Sequence, residues 1–136
     1  MLDERRHQGL LDTSVVVDLE SIALSRLPVE AAISAITLAE LAAGPMATQD
    51  LAERAVRQDR LQRTEAAFEP IPFDADAARA YARIYARVVS VGRKARGSRA
   101  VDLLIAATAL ASRLPLYTRN PDDLIALEGI VDVVAV

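Results

Sequence analysis

The sequence predicts an α/β domain in which a central parallel sheet is flanked by helices on both faces. Short apolar runs alternate with longer amphipathic segments along the whole chain, and this alternation is typical of parallel sheets. The chain has 136 residues, of which 52% are hydrophobic, so it can bury the core of one domain. We expect a flexible arm over residues 1–8 and a single domain over residues 9–136.

The first third of the chain predicts two strands, each followed by a helix. Residues 9–11 form a short apolar run that ends at Asp12, a residue type that caps helices. Residues 32–36 predict the second strand. Thr37 and Glu40 then match a capping box, which places Glu40 in the first turn of a helix that stops at Gly44-Pro45.

The middle of the chain predicts two amphipathic helices. The first covers residues 49–68, and Asp74 caps the second. Between them, residues 70–73 suit a short or edge strand because of their two prolines. The apolar faces are expected at positions spaced by helical periodicity: Leu51, Ala55, Leu61 and Ala66 in the first helix, and Ala78, Tyr81, Tyr85, Val88 and Val89 in the second.

The last third predicts a buried helix between two short strands and a final helical segment. Residues 100–114 are apolar nearly all round, which is typical of a buried helix. Residues 115–118 and 130–134 predict the strands. Asn120 followed by Pro121 is a strong helix start, with asparagine as the cap.

Composition excludes several kinds of site and location. The chain contains no cysteine and a single histidine, His7, which excludes disulfides, thiolate zinc sites and multi-histidine metal sites. No apolar run reaches the length of a membrane span, and the start MLDERRHQG has no apolar signal region. We therefore expect a cytoplasmic protein without a membrane partner.

Carboxylates fall where a parallel sheet forms its sites, outside the carboxyl ends of the strands. Asp12 follows the first strand, Glu40 follows the second, and Asn120 and Asp123 follow the strand at 115–118. Asp102 lies alone among apolar residues near the start of the buried helix. Each acid taken singly suits a helix start. Together they form a set of oxygen ligands that favours Mg²⁺ or Mn²⁺, and carboxylate-bound Mg²⁺ can promote phosphodiester hydrolysis.

Four segments in this order resemble the PIN-domain family, and in particular the VapC-type toxins of bacterial toxin–antitoxin pairs. The segments are LLDTS over 10–14, ITLAEL over 36–41, VDLLIAA over 101–107, and TRN with the following DL over 118–124. The resemblance covers nearly the whole chain, from Gly9 to the last strand. It implies a PIN-like three-layer fold and a Mg²⁺-dependent endoribonuclease that cleaves structured RNA such as transfer or ribosomal RNA.

The resemblance also implies roles for individual residues. Asp12 and Asp102 would be direct metal ligands, and Glu40 would bind the metal through water or orient the attacking water. The family's fourth position is Asp or Asn. Here it is Asn120, with Asp123 three residues on, so either side chain is a candidate to complete the site. The hydroxyls of Thr13 or Ser14, and of Thr118, are candidates to hydrogen-bond the acids or a phosphate.

Partners follow from the same resemblance. A family member pairs with a VapB-type antitoxin that covers the site, and usually forms a homodimer. The alternative function is a catalytically inactive PIN-like module that binds RNA or protein, which the neutral Asn120 keeps open.

Two groups of basic residues favour binding to RNA despite the net charge of -3. Arg79, Arg83 and Arg87 recur every four residues along one predicted helix. A glycine-flanked loop then carries a second basic group, Arg93, Lys94, Arg96 and Arg99. A basic surface of this kind can contact phosphates, although a solvated helix face explains the pattern equally well. Tyr81 and Tyr85 are expected in the core.

Overall fold

The computed structural model describes residues 5–93 and 98–136. A parallel sheet of four strands runs through the centre, in the order β2-β1-β3-β4. Its strands are β1 (Gln8–Leu11), β2 (Glu30–Ala32), β3 (Leu116–Thr118) and β4 (Val133–Ala135). Its helices are α1 (Thr13–Val17), α2 (Ala35–Ala43), α3 (Leu51–Ala67), α4 (Ala75–Ser90) and α5 (Ser98–Ser112). The predicted fold class, a parallel sheet flanked by helices, is confirmed.

Two apolar layers pack on opposite faces of the sheet, because successive residues of a strand point to opposite sides. Leu10 and Leu116 face one layer, which α4 and α5 complete. Leu11 and Tyr117 face the other layer, together with Val15 of α1. The predicted buried helix is α5, in which Ile105, Ala106 and their neighbours are inaccessible to solvent.

The second strand and the second helix both begin earlier than the sequence predicted. β2 covers Glu30–Ala32 instead of 32–36, and Ser34 caps α2 by accepting a hydrogen bond from the Thr37 amide at 3.0 Å. The predicted capping box of Thr37 and Glu40 is therefore wrong. The apolar run was misassigned because it includes the end of a strand and the first turn of a helix. The predicted edge strand at 70–73 is reduced to one bridge between Ser34 and Ile71.

The predicted apolar faces of α3 and α4 are largely wrong. In α3, Leu51 is 77% exposed and the buried residue is Thr64. In α4, Tyr85 and Val89 are about half exposed and Tyr81 is half-buried, whereas Val88 is buried as predicted. The rest of the core face consists of three positions that were not predicted: Ala77, Ala80 and Ile84. Both helices carry apolar residues on more than one face. Periodicity alone therefore did not identify the face that packs against the core.

The ends of the described chain also differ in detail from the prediction. α5 ends at Ser112, and Arg113 follows with a left-handed φ of 56°. Asn120 makes no capping hydrogen bond through its side chain, and Pro121–Leu127 is a 3₁₀ helix. β1 begins at Gln8, and the carbonyl oxygens of Arg6 and His7 accept hydrogen bonds from the segment that leads into β2. The part of the predicted arm before Arg5 lies outside the described residues.

Within the described ranges, no helix has the length and apolarity needed to span a membrane.

Candidate functional site

The predicted acids lie around a small cavity at the carboxyl ends of β1 and β3. Its volume is about 30 Å³, enough to hold a water molecule. The residues that line it come from the ends of both strands, from α5 and from the 3₁₀ helix: Asp12, Ser14, Asp102, Thr118, Asn120, Asp123 and Leu124. We call this group the acid cavity. It contains every predicted site residue except Glu40.

Asp12 is fixed at the start of α1. Its side chain accepts a hydrogen bond from the Val15 amide at 3.2 Å, so it caps the helix as predicted. It also accepts a hydrogen bond from the hydroxyl of Ser14. The Ser14 oxygen in turn accepts the amide N–H of Arg119 at 3.0 Å. Ser14 therefore connects Asp12 to the chain that leaves β3.

Glu40 is held by α1, although it projects from α2. The hydroxyl of Thr13 donates a hydrogen bond of 2.5 Å to its Oε1. The Thr13 oxygen also lies 3.1 Å from the hydroxyl of Thr37, a fully buried residue. Glu40 is exposed and does not line the acid cavity. It lies in the second turn of α2 and not, as predicted, in the first.

Asp102 is the acid whose environment is most perturbed. Its pKa is raised from 3.8 to about 6, chiefly by burial and then by the negative charges of Asp12, Glu40 and Asp123, while Arg99 lowers it. This like-charge effect reaches Asp102 from three different elements of the fold. A perturbed carboxyl in a cavity with like charges is typical of functional sites. A cation in the cavity would relieve the repulsion.

The fourth acid position lies at the start of the 3₁₀ helix. The buried hydroxyl of Thr118 accepts the amide N–H of Asn120 at 3.0 Å. Asp123, one turn further on, accepts a hydrogen bond at its backbone oxygen from Arg99 at 3.1 Å. Asn120 and Asp123 both line the acid cavity. Both are therefore still candidates for the residue that completes the site.

The donor set fits a small, hard cation. The side chains in the cavity offer carboxylate, amide and hydroxyl oxygens, the ligands of Mg²⁺. Across residues 5–93 and 98–136, no three acidic or imidazole side chains are grouped closely enough to enclose one ion. Mg²⁺ is commonly held by only one or two carboxylates and keeps several waters. Two carboxylates, such as those of Asp12 and Asp102, are therefore enough to bind it.

The predicted basic surface is only partly described. Arg79 forms an ion pair with Asp76 at 2.7 Å, and Arg87 donates to the backbone oxygen of Glu128 at 2.9 Å. Lys94 and Arg96 lie outside the described residues. Among the described arginines of this set, Arg99 acts on Asp102. The sequence analysis placed Arg99 in the loop, but it lies in the first turn of α5. Its position three residues before Asp102, on the same helix face, was the available signal.

A larger cavity of about 360 Å³ lies elsewhere, between α1 and α3. It is lined by Val17, Val56 and Phe68 among others, with Arg60 and Arg63 beside them. None of the predicted site residues contributes to it. The smaller acid cavity is the candidate site, because reactive groups and a perturbed pKa identify a site better than size does.

Comparison with known proteins identifies relatives over nearly the whole chain. The sequence profile of the PIN domain matches residues 9–128. Ribonuclease VapC5 of Mycobacterium tuberculosis is 38% identical over 128 residues, which are 92% of this chain and 91% of the relative. Ribonuclease VapC8 of the same species is 38% identical over 74% of this chain and 89% of the relative.

A solved structure is similar to the same extent. The crystal structure of VapBC-5 from Mycobacterium tuberculosis, a member of the VapBC family of toxin–antitoxin systems, contains a chain that is 37% identical. The two chains superpose with a TM-score of 0.80 over 96% of this chain and 99% of that one.

Proposed function

The chain belongs to the PIN-domain family, and from this premise we propose that it is the ribonuclease toxin of a VapBC-type toxin–antitoxin pair. Its relatives VapC5 and VapC8 are ribonucleases by name. We propose that the reaction is Mg²⁺-dependent endonucleolytic hydrolysis of structured RNA, transfer or ribosomal, with Mn²⁺ as a possible substitute. PIN-domain ribonucleases generally depend on a divalent metal.

One observation carries the proposal. Asp12, Asp102 and Asp123 come from three distant parts of the sequence, yet their side chains line one cavity. Glu40 adds its charge to the same electrostatic environment. Concentrated negative charge opposes folding unless a cation compensates for it, so a structural role alone does not explain the group. A metal-dependent reaction on a polyanion explains why these acids are grouped.

Each residue then has a defined role. Asp12 and Asp102 hold the metal ion, which when bound supplies positive charge to the phosphate and a water of lowered pKa. Glu40, fixed by Thr13, binds the ion through water or orients the attacking water. Asn120 or Asp123 completes the ligand sphere. Ser14 keeps the Asp12 carboxylate in place through the hydrogen bond that it donates.

Partners follow from the relatives. Similar solved structures are described as toxin–antitoxin complexes, some of them bound to DNA. We propose that a VapB-type antitoxin covers the acid cavity and that the toxin forms a homodimer. Exposed apolar side chains such as Tyr85 and Val89 are available for such contacts. A toxin that acts on cellular RNA functions in the cytoplasm, which is the location that we propose.

Induced expression in a bacterial host tests the proposal. Wild type and Asp12→Ala are compared for growth, and total RNA is mapped for new 5′ ends. We expect growth arrest and discrete cuts with the wild type, neither with Asp12→Ala, and recovery when the antitoxin is co-expressed. Soluble, folded wild-type protein that produces neither arrest nor new ends would favour the alternative, a PIN-like module that binds RNA or protein without cleaving it.

A further inference from the structure

We propose that Arg99 is a substrate-binding residue whose guanidinium contacts a phosphate of the RNA beside the acid cavity. This inference rests on the part of the proposed function that has RNA bind at the acid cavity. It assigns a specific phosphate contact to a residue that would otherwise be one of several arginines on a basic surface.

The position of Arg99 places a cation next to the acids. It lies in the first turn of α5, one turn before Asp102, so both side chains project from the same face of the helix. Its guanidinium extends to the 3₁₀ helix, where it donates to the backbone oxygen of Asp123 at 3.1 Å. Since Asp102 and Asp123 both line the cavity, Arg99 bridges two of its walls.

The contacts of Arg99 leave it available for a ligand. Its guanidinium lies 3.9 Å from Oδ1 of Asp123, and 30% of its side chain is exposed. An arginine that served only as a counter-ion would be expected to form the closer, forked pair that guanidinium and carboxylate favour. One N–H group of Arg99 donates to the carbonyl oxygen of Asp123. The remaining N–H groups of its guanidinium can donate to a phosphate.

Electrostatics supplies the reason for such a residue. A site with several carboxylates repels the polyanion that it has to bind. Arg99 offsets this field, since its charge opposes the effect of Asp12, Glu40 and Asp123 on Asp102. A fixed cation beside the acids would attract the phosphate.

Three other arginines of the described chain have partners away from the acid cavity. Arg119 pairs with Asp18 at 3.5 Å, and Arg79 pairs with Asp76 at 2.7 Å. Arg87 donates to the Glu128 carbonyl, and like Arg99 it thereby joins a helix to the 3₁₀ segment or its end. Unlike Arg99, it is not among the charges that act on Asp102, so it provides a matched control for a purely structural tether.

RNA binding in a cleavage-inactive background tests the proposal. Asp12→Asn removes the charge of Asp12 but keeps a good helix cap. Fluorescence anisotropy with a short labelled RNA of mixed sequence, in Mg²⁺ and across a range of KCl, gives affinity and salt dependence. Adding Arg99→Gln should weaken binding about 10-fold at low salt and reduce the slope of log K against log salt by about 0.7, the value for one phosphate of a single strand. Arg87→Gln should change neither quantity.

Arg99→Lys gives a second comparison. Lysine keeps the charge but not the forked donors, so the salt slope should stay at the parent value while the affinity falls. The proposal is overturned if Arg99→Gln leaves the slope unchanged, if Arg87→Gln reduces it equally, or if Arg99→Lys behaves as Arg99→Gln does.

Cleavage assays on the wild type distinguish a failure of the proposed phosphate contact from a failure of the proposed ribonuclease function. If the wild type cuts RNA and Arg99→Gln does not alter the salt slope, the phosphate contact is wrong and the ribonuclease proposal stands. If the wild type cuts no RNA but Arg99→Gln lowers the slope as expected, the ribonuclease proposal fails and the contact stands.

Discussion

The hydroxyl of Thr13 donates a hydrogen bond of 2.5 Å to the carboxylate of Glu40. This contact joins the first turn of α1 to the second turn of α2. It fixes the direction of an acid that is otherwise exposed to solvent. Positioning groups of this kind affect activity strongly, because small displacements of a reacting group are costly.

Removing this hydroxyl tests its positioning role. Thr13→Val keeps the shape of the side chain but leaves Glu40 without its donor. We expect kcat for RNA cleavage to fall about 10-fold, the size typical of lost supporting contacts around metal sites, with KM nearly unchanged. Thr13→Ser, which retains the hydroxyl, should keep most of the activity. Equal kcat values for Thr13→Val and the wild type would show that the contact does not position Glu40.

The pKa of Asp102 predicts a pH-dependent stability difference in metal-free protein. Its folded value of about 6 exceeds the ordinary value of 3.8, so the folded state binds more protons between these values. The contribution of this carboxyl to stability therefore decreases as pH rises from about 4 to 6. Asp102→Asn removes that penalty. We expect it to raise the free energy of unfolding at pH 7 by about 1 kcal/mol, less than the whole shift implies because solvent screens part of the charge.

Urea unfolding in EDTA at pH 4 and pH 7 measures this effect. The gain from Asp102→Asn should be small at pH 4 and larger at pH 7. Added Mg²⁺ should stabilise the wild type more than the variant, because a ligand stabilises the state that binds it. A variant that is less stable than the wild type at pH 7 without metal would contradict the assignment of uncompensated charge to Asp102.

Asp123 and Asn120 can be distinguished by their effect on metal affinity. The charge of Asp123 acts on Asp102, and charge strengthens a ligand for Mg²⁺. We therefore expect Asp123→Asn to weaken Mg²⁺ binding about 10-fold, and Asn120→Ala to weaken it less. Isothermal titration calorimetry in the absence of RNA gives both values. The reverse order would identify Asn120 as the residue that completes the site.

Gly9 supports the strand that carries Asp12. A Cβ atom at this position would lie 2.5 Å from Cε1 of Tyr117 and 3.1 Å from Cγ of Pro28. Gly9→Ala should therefore cost about 1–3 kcal/mol of stability through overpacking, measured by urea unfolding. Gly44→Ala is the control, since its Cβ would meet only the Arg57 side chain at 3.6 Å or more. If both variants are equally stable, the close packing of Tyr117 on Gly9 is not rigid.

The fold class was predictable because alternation of elements is a property of the whole sequence. Asp12 and Asp102 were also placed correctly on their elements, since Asp12 follows a short apolar run and Asp102 interrupts a long one. Local boundaries were less predictable. The run from Ala31 to Ile36 is apolar in both its strand and its helical part, and the Ser34 cap that separates them resembles many other serines.

The detailed site depended on contacts between distant segments. Thr13 is 27 positions from Glu40, and Ser14 is 105 positions from Arg119. The hydroxyls of Thr13 and Ser14 were predicted as partners of the acids. The bridging position of Arg99 was not predicted, because helical spacing relates it to Asp102 but nothing in the sequence relates it to Asp123.

The central claim is that the acid cavity cleaves RNA with the help of a divalent metal. The most direct test uses purified toxin, freed of antitoxin, incubated with total bacterial RNA in Mg²⁺ or in EDTA. The account predicts discrete products in Mg²⁺, none in EDTA, and none for Asp12→Asn or Asp102→Asn when both variants are folded by circular dichroism. Identical products in EDTA, or undiminished cleavage by a folded Asp102→Asn variant, would contradict it.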